Sequence, residues 1–266
     1  MRFTDTEVFM ITNGYGDYPR ELSSLCGIVT GGSSGIGYDI SNTLAAAGAK
    51  VYVISRTGCP KEGYPESLPG VEHIKGDISD VCAMKNICSR IAEENGGKID
   101  FLINNAGVSF KCRAEDFPPE EFDRIMNVNV RSLFYMCTVC YPWLKKSPVK
   151  GRIINITSMS AHLGFSLVVP YCASKGAVLS VTRGLAVEWA DDVTVNSIAP
   201  GWFRSNMNAQ IVDPEREKKI LSRMPVHAYG DKKDIGEMVR YLCGPAASYI
   251  TGQDFAIDGG ALAYGY

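Results

Sequence analysis

Tyr171 and Lys175 form a Tyr-x-x-x-Lys pair. On a helix that spacing puts both side chains on one face, where an ammonium can bias a phenol toward its ionised form. A free phenol titrates near about 10 and is a poor base at neutral pH, so proton transfer by tyrosine needs a cation beside it. The pattern is cheap, recurring at Tyr141/Lys145 and Tyr229/Lys233. Only Tyr171 has a serine thirteen positions upstream, Ser158, directly after the apolar run Arg152 to Thr157; Val128 and Arg216 stand there for the other two tyrosines. A strand ending at Thr157 would deliver Ser158 to the C-terminal edge of a parallel sheet, where ligands bind in open α/β folds. Thr157 should alternate to the other face of that strand, and Ser160 lies eleven residues before Tyr171 rather than thirteen.

A second constellation is Thr30-Gly31-Gly32-Ser33-Ser34-Gly35-Ile36-Gly37, which follows one apolar run and opens a helical segment. In that context glycines let the backbone turn tightly and approach a pyrophosphate, whose charge sits at the helix N-terminus. An acidic residue about 20 positions further on would bind the ribose 2′-hydroxyl of NAD. Ser55-Arg56 stands there instead. A guanidinium suits a 2′-phosphate, so NADP is the expected cofactor and NAD the alternative.

The elements that must position these groups are legible as an alternation of short β-branched runs with longer helical stretches, the pattern of a parallel sheet with crossover helices. Strands are expected at Leu25 to Thr30, Lys50 to Ser55, Val71 to Lys75, Ile99 to Asn104, Arg152 to Thr157, Val193 to Ile198 and Gln253 to Ile257. Helices are expected at Gly35 to Ala47, Asp80 to Glu94, Pro119 to Lys145, Pro170 to Ala190 and Asp231 to Cys243. The near-continuous apolar strands suit burial on both faces. One doubly wound α/β domain over residues 25–266, with a mostly parallel seven-stranded sheet, accounts for the pattern. Residues 1–24 form an extension of unknown role, and 202–225 an excursion of the kind that serves as a functional lid.

Composition removes several function classes. Of 266 residues 45% are hydrophobic and 21% charged, with a net charge of -2. That balance supplies no broad basic field for nucleic acid, and no apolar run approaches a membrane span. The N-terminus has no secretory or transit pattern, so a cytoplasmic location is expected. Nine cysteines without a secretion signal point to reduced thiols. Cys137 and Cys140 lack a second pair, and His73, His162 and His227 are scattered, so no metal site is expected.

The spacing Gly31-x-x-x-Gly35-x-Gly37 resembles the Thr-Gly-x-x-x-Gly-x-Gly loop of the short-chain dehydrogenase/reductase family. Further blocks follow in that family's order: Gly76-Asp77, Asn104-Asn105-Ala106-Gly107, Asn127-Val128-Asn129, Pro200-Gly201 and Ile257-Asp258-Gly259-Gly260. The resemblance runs from about Leu25 to Gly260 and implies a Rossmann-type oxidoreductase acting on a ketone or secondary alcohol. It implies that Tyr171 moves the proton, that Lys175 supplies the charge and holds the nicotinamide ribose, and that Ser158 hydrogen-bonds the substrate oxygen. Asn129, the second Asn of its block, would hold a water in the proton relay. The implied cofactor residues are Gly31, Ser33, Ser34, Gly35, Ile36 and Gly37 in the loop, Ser55 and Arg56 after the second strand, Asp77 and Ile78 after the third, Asn104, Ala106 and Gly107 after the fourth, Pro200 and Gly201 after the sixth, with Tyr171 and Lys175. Asp77 and Asn104 would line the adenine pocket. NADP-linked relatives often add a basic residue inside the Gly loop, whereas this loop has Ser33 and Ser34.

The expected pocket walls are Met159 to Val169, Ser109 to Asp116 and Trp202 to Arg223. Phe165, Leu167, Val168, Trp202, Phe203 and Met207 offer apolar surface there, and Lys111, Arg113, Arg204 and Arg223 offer charge. The general look is similar to 3-oxoacyl-thioester reductases and gluconate-type sugar-acid dehydrogenases, with hydroxysteroid dehydrogenases sharing the skeleton. Apolar residues exceed one core-facing stripe on Pro119 to Lys145 and Pro170 to Ala190, which with the resemblance implies a homodimer or homotetramer. The rival class is a catalytically idle, nucleotide-sensing protein, which would not need serine, tyrosine and lysine in register.

Overall fold

The computed structural model describes residues 21–203 and 214–265. Seven strands form one sheet: β1 Cys26–Thr30, β2 Lys50–Ser55, β3 Val71–Lys75, β4 Phe101–Asn104, β5 Gly151–Ile156, β6 Val193–Pro200 and β7 Asp254–Ile257. All neighbours pair in parallel, in the order β3-β2-β1-β4-β5-β6-β7. The winding reverses between β1 and β4, so the loops after these two strands diverge around a crevice at the C-terminal edge.

Each face of the sheet has its own core. Ile28, Tyr52, Leu102, Ile153 and Val195 point to one side. They are covered by α2 (Val81–Glu94), α4 (Ser132–Leu144) and α5 (Val169–Glu188). Val29, Val53, Ile103, Ile154 and Ile198 point to the other side, covered by α1 (Gly35–Ala46) and α7 (Lys232–Cys243). Central strands buried on both faces explain why their sequences read as continuous apolar runs rather than alternating ones. Strand and helix ends fall within two residues of the expected bounds for most elements.

Two differences are informative. The stretch expected as one helix from Pro119 to Lys145 is α3 (Pro119–Met126), a wide π turn at Asn127–Arg131, and then α4. Neither glycine nor proline marks the junction at Asn127–Arg131, so periodicity shows no break; one wide turn shifts the register and aims Asn129 inward. The excursion after β6 contains a further helix, α6 (Pro214–Ser222), with proline and acidic residues in its first turn. Phe203, expected in the substrate wall, is instead buried in the α1/α7 core. Its ring fills the space that a side chain at Gly230 would need, 2.3 Å from an ideal Cβ there. Met207 and Arg204 lie outside the described residues, as does most of the N-terminal extension. No helix among the described residues is long and apolar enough to cross a membrane. The chain ends in a short α8 (Ala261–Tyr264).

The crevice is held open by one buried hydroxyl. Thr30 Oγ accepts the backbone amides of Asn105 and Ala106, both at 3.1 Å, and so ties the end of β1 to the loop after β4. Asn105 returns the contact by donating to the carbonyls of Thr30 (3.0 Å) and Gly31 (3.1 Å). Thr30→Val keeps the shape but strands two amides, each worth about 1–3 kcal/mol when left unpaired. The variant should lose roughly 2–4 kcal/mol of unfolding free energy in a denaturant titration. A loss below about 0.5 kcal/mol would show that these bonds do not hold the crevice.

Candidate active site

β5 and β6 end side by side, and the first turn beyond β5 carries Ser158. Ser158 is extended (φ -172°, ψ 157°) and caps the short turn Met159–Ala161, its Oγ accepting the Ser160 amide at 3.1 Å. That fixes the serine at the sheet edge, where a continued strand would have alternated it away. α5 enters above it, with Pro170 in its first turn, where a missing amide costs nothing. Tyr171 and Lys175 follow on one face of α5, the Lys175 Nζ 5.7 Å from the centre of the Tyr171 ring. The Ser158 hydroxyl is near enough to the Tyr171 phenol to favour its ionised form. The serine, tyrosine and lysine picked out by spacing are therefore brought together.

The lysine is buried, and its Nζ donates to the Ile156 carbonyl at 2.7 Å. Burial lowers its pKa to about 8. Burial also pushes the Tyr171 phenol up to about 12, opposed by the Ser158 hydroxyl, which favours the phenolate. At the phenol, loss of solvation thus outweighs the Ser158 hydroxyl, which acts in the opposite direction.

Asn129 is buried at the π turn, with its side chain fully committed. Its Oδ1 accepts the Val108 amide at 2.8 Å, and its Nδ2 donates to the Val108 carbonyl (2.9 Å) and to Ser174 Oγ (3.0 Å). The amide thus clamps the loop after β4 onto α5. Asn127 stays outside, its Oδ1 taking an Arg131 bond and its carbonyl the Ser132 hydroxyl. Gly107 lies in this cluster, where an ideal Cβ would be 3.3 Å from Asn129 Oδ1 and 3.6 Å from Lys175 Nζ.

The Gly loop lies beside this cluster, across the crevice. Gly31 has φ +69°, and a Cβ there would sit 2.8 Å from the Ala106 backbone, so the two crevice loops touch only because it is glycine. A Cβ on Gly37 would meet Asn105 at 2.3 Å. Ser34 is the N-cap of α1, yet its side chain makes no capping bond, and the first turn carries no acid. Space in front of Gly35 is open, with no atom within 4 Å of an ideal Cβ. An uncommitted serine, an acid-free helix N-terminus and open space fit an anionic dinucleotide phosphate. Ser33 is buried and Ile36 half-buried beside the loop.

The remaining predicted cofactor residues vary. Arg56 is exposed at the end of β2, while Ser55 is buried, its Oγ 3.2 Å from both Thr57 Oγ and the Gly58 amide. Asp77 is exposed and caps its own turn through Ser79 (2.9 Å), and Ile78 packs on the core. Asn104 does not line an adenine pocket with its side chain. Its Nδ2 donates into the core, to Asn155 Oδ1 at 2.9 Å and Cys137 Sγ at 3.2 Å, because alternation along β4 turns it toward α4. Pro200 is buried, and Gly201 packs so close to Asp258 that a Cβ would be 2.6 Å from its Cα. Among the wall residues, Phe165 and Trp202 pack with Met159 and Met224, whereas Leu167 is exposed with φ 68°. Arg113 is paired with Glu115 on the surface, and Lys111 and Arg223 are exposed.

Sequence reasoning missed Thr30 and Asn105, which pin the crevice, and Tyr64, whose hydroxyl accepts the Gly35 amide at 2.9 Å. Asn105 sits inside a block already singled out, so its place between two glycine loops was a usable signal. Nothing local marks Tyr64.

The geometry makes one pH dependence testable. Lys175 is cationic below about pH 8 and neutral above it. If its charge assists proton transfer, kcat/KM for carbonyl reduction should fall with a single-proton limb near that pH, since kcat/KM reports groups of the free protein. Lys175→Met should be slow and lack the limb; a wild-type profile flat to pH 9.5 would contradict the assignment.

Residues 31–261 match the family described as Enoyl-(Acyl carrier protein) reductase. A tropinone reductase homolog of Datura stramonium is 34% identical over 271 residues, covering 95% of this chain and 97% of that protein. The 2-dehydro-3-deoxy-D-gluconate 5-dehydrogenase of Bacillus subtilis (strain 168) is 36% identical over 256 residues, covering 94% and 99%. Among solved structures, a gluconate 5-dehydrogenase from Burkholderia cenocepacia J2315, in complex with NADP and tartrate, superposes with a TM-score of 0.83 at 26% identity, covering 92% of this chain and 98% of that one.

Proposed function

The chain belongs to the short-chain dehydrogenase/reductase family, and from that premise we propose that it transfers a hydride between NADP(H) and a polar ketone or secondary alcohol of the sugar-acid type. It is an oxidoreductase acting on CH–OH groups. The observation that carries the reading is the grouping of half-buried Ser158 and Tyr171 with buried Lys175 at the edge of β5, beside an α1 N-terminus suited to phosphate.

The dinucleotide supplies the hydride; the chain supplies the proton and the geometry. Tyr171 protonates the substrate oxygen on reduction, which suits a phenol held as its acid by burial. Ser158 donates to the same oxygen and stabilises charge that develops there. Lys175, anchored on Ile156, keeps a positive charge near the phenol as the proton leaves, and Asn129 holds the floor of the crevice in place. Gly31, Ser33, Ser34, Gly35, Ile36 and Gly37 would hold the phosphates, and Arg56 the 2′-phosphate. A sugar-acid substrate is supported by the 36% identical gluconate-derivative dehydrogenase and by the relative solved with NADP and tartrate. These relatives also share most of their length with this chain. A phosphate-reading Arg56 is supported by its exposure at the end of β2 and by the absence of an acid there.

Steady-state assay of the purified chain with NADPH against 3-oxoacyl thioesters, keto-sugar acids and steroid ketones tests the reading, with turnover expected on the sugar-acid arm. Silence on every carbonyl with either nucleotide would contradict it and favour an idle binding protein. Arg56→Ala should weaken NADPH binding roughly ten- to a hundredfold and leave NADH nearly unchanged, since one charge-assisted bond is worth about 1.5–3 kcal/mol. Equal losses for both nucleotides would remove Arg56 from the phosphate. Assembly is expected through α4 and α5, whose Phe134, Tyr135 and Val187 remain exposed after one core is satisfied. Sedimentation equilibrium should give two or four times the mass of one chain, and a monomer would refute it.

A further inference from the structure

The connection from β2 to β3, residues 56–70, contains no helix and wraps the N-terminal end of α1 as a strap. Its ties are specific. The Lys61 amide donates to the Ser33 carbonyl at 2.9 Å, Tyr38 Oη donates to the Pro65 carbonyl at 3.1 Å, and the Leu68 amide donates to Asn42 Oδ1 at 2.7 Å. Between these ties Tyr64 packs its ring on Tyr38, centroids 5.0 Å apart, with Lys232 Nζ 5.8 Å from the centre of the Tyr64 ring. That seating aims the Tyr64 hydroxyl at the Gly35 amide, which it accepts at 2.9 Å.

Gly35 is the first residue of α1, and its amide has no acceptor within the helix. The N-cap Ser34 makes no side-chain capping bond, so the amides of this first turn are left to other partners. We infer that Tyr64 is an internal ligand of the dinucleotide site, satisfying the first amide of α1 in the free protein and giving it up when a phosphate oxygen arrives. The inference rests on the reading that this loop takes a dinucleotide. A phenolic oxygen is a neutral acceptor, whereas a phosphate oxygen is anionic and forms bonds roughly twice as strong, so the exchange runs toward the nucleotide. It carries a cost in affinity equal to the displaced bond. Because the contest concerns the helix N-terminus and not the 2′-phosphate, NADPH and NADH should bear that cost equally, which separates Tyr64 from Arg56.

Isothermal titration of the full chain with NADPH and with NADH tests the exchange. Tyr64→Phe keeps the ring stack and removes the acceptor, so both nucleotides should bind roughly two- to tenfold tighter, the fold-change of one ordinary hydrogen bond. Tyr64→Leu, which also loosens the strap, should move both affinities in the same direction and guards against a folding artefact in the first variant. Unchanged affinity would show that Tyr64 and nucleotide do not compete. Weaker binding of either nucleotide would make Tyr64 a contact of the bound state; both results overturn the inference. A wild-type chain that binds neither nucleotide overturns the dinucleotide reading itself, and is distinguishable because it is seen before any variant is made.

Discussion

Lys175 places a cation where there is almost no water, with one strand carbonyl, that of Ile156, as its observed acceptor. Burying an ammonium is expensive, and its depressed pKa of about 8 records that expense. The surrounding structure is arranged to keep the group there regardless. β5 must end at Ile156 for the carbonyl to face α5, and the turn after it must stop at Ser158. The π turn before α4 must aim Asn129 inward so that the loop after β4 closes the other side. Tyr171, half-buried beside it, is held as its acid by loss of solvation.

Buried Lys175 and the α1 N-terminus, proposed as the anion seat, lie at one crevice, opened where the winding of the sheet reverses between β1 and β4. Thr30 and Asn105 stitch its two walls together with short bonds between backbone and side chain. A crevice built this way has little freedom to widen, so adjustment to different partners is left to the elements outside it: the strap carrying Tyr64 and the segment carrying α6.

Much of this was legible in the sequence. The strand-loop-helix context of Thr30 to Gly37 and the thirteen-residue step from Ser158 to Tyr171 are local, and local spacing determines which face or edge a residue occupies. What spacing does not determine is the partner met there. Asn104 sits in a recognisable block, but the strand's alternation turns its side chain into the core. Phe203 looks like a wall residue until Gly230, far along the chain, supplies the hole it fills. Tyr64 reaches Gly35 across a strap without periodicity. The phenol's direction of shift was missed for a different reason: a helix turn shows the lysine next to the tyrosine, but not how much solvation each loses.

In the proposed mechanism Tyr171 is the proton donor, and the nucleotide site does not depend on its phenolic hydroxyl. Tyr171→Phe isolates it, because the ring still packs and only the proton is lost. Single-turnover reduction with saturating NADPH should slow by about 10²–10⁴-fold, the usual worth of a positioned acid, while NADPH affinity measured by titration stays within about twofold. A variant that turns over at near wild-type rate, or that loses nucleotide binding along with activity, would contradict the account.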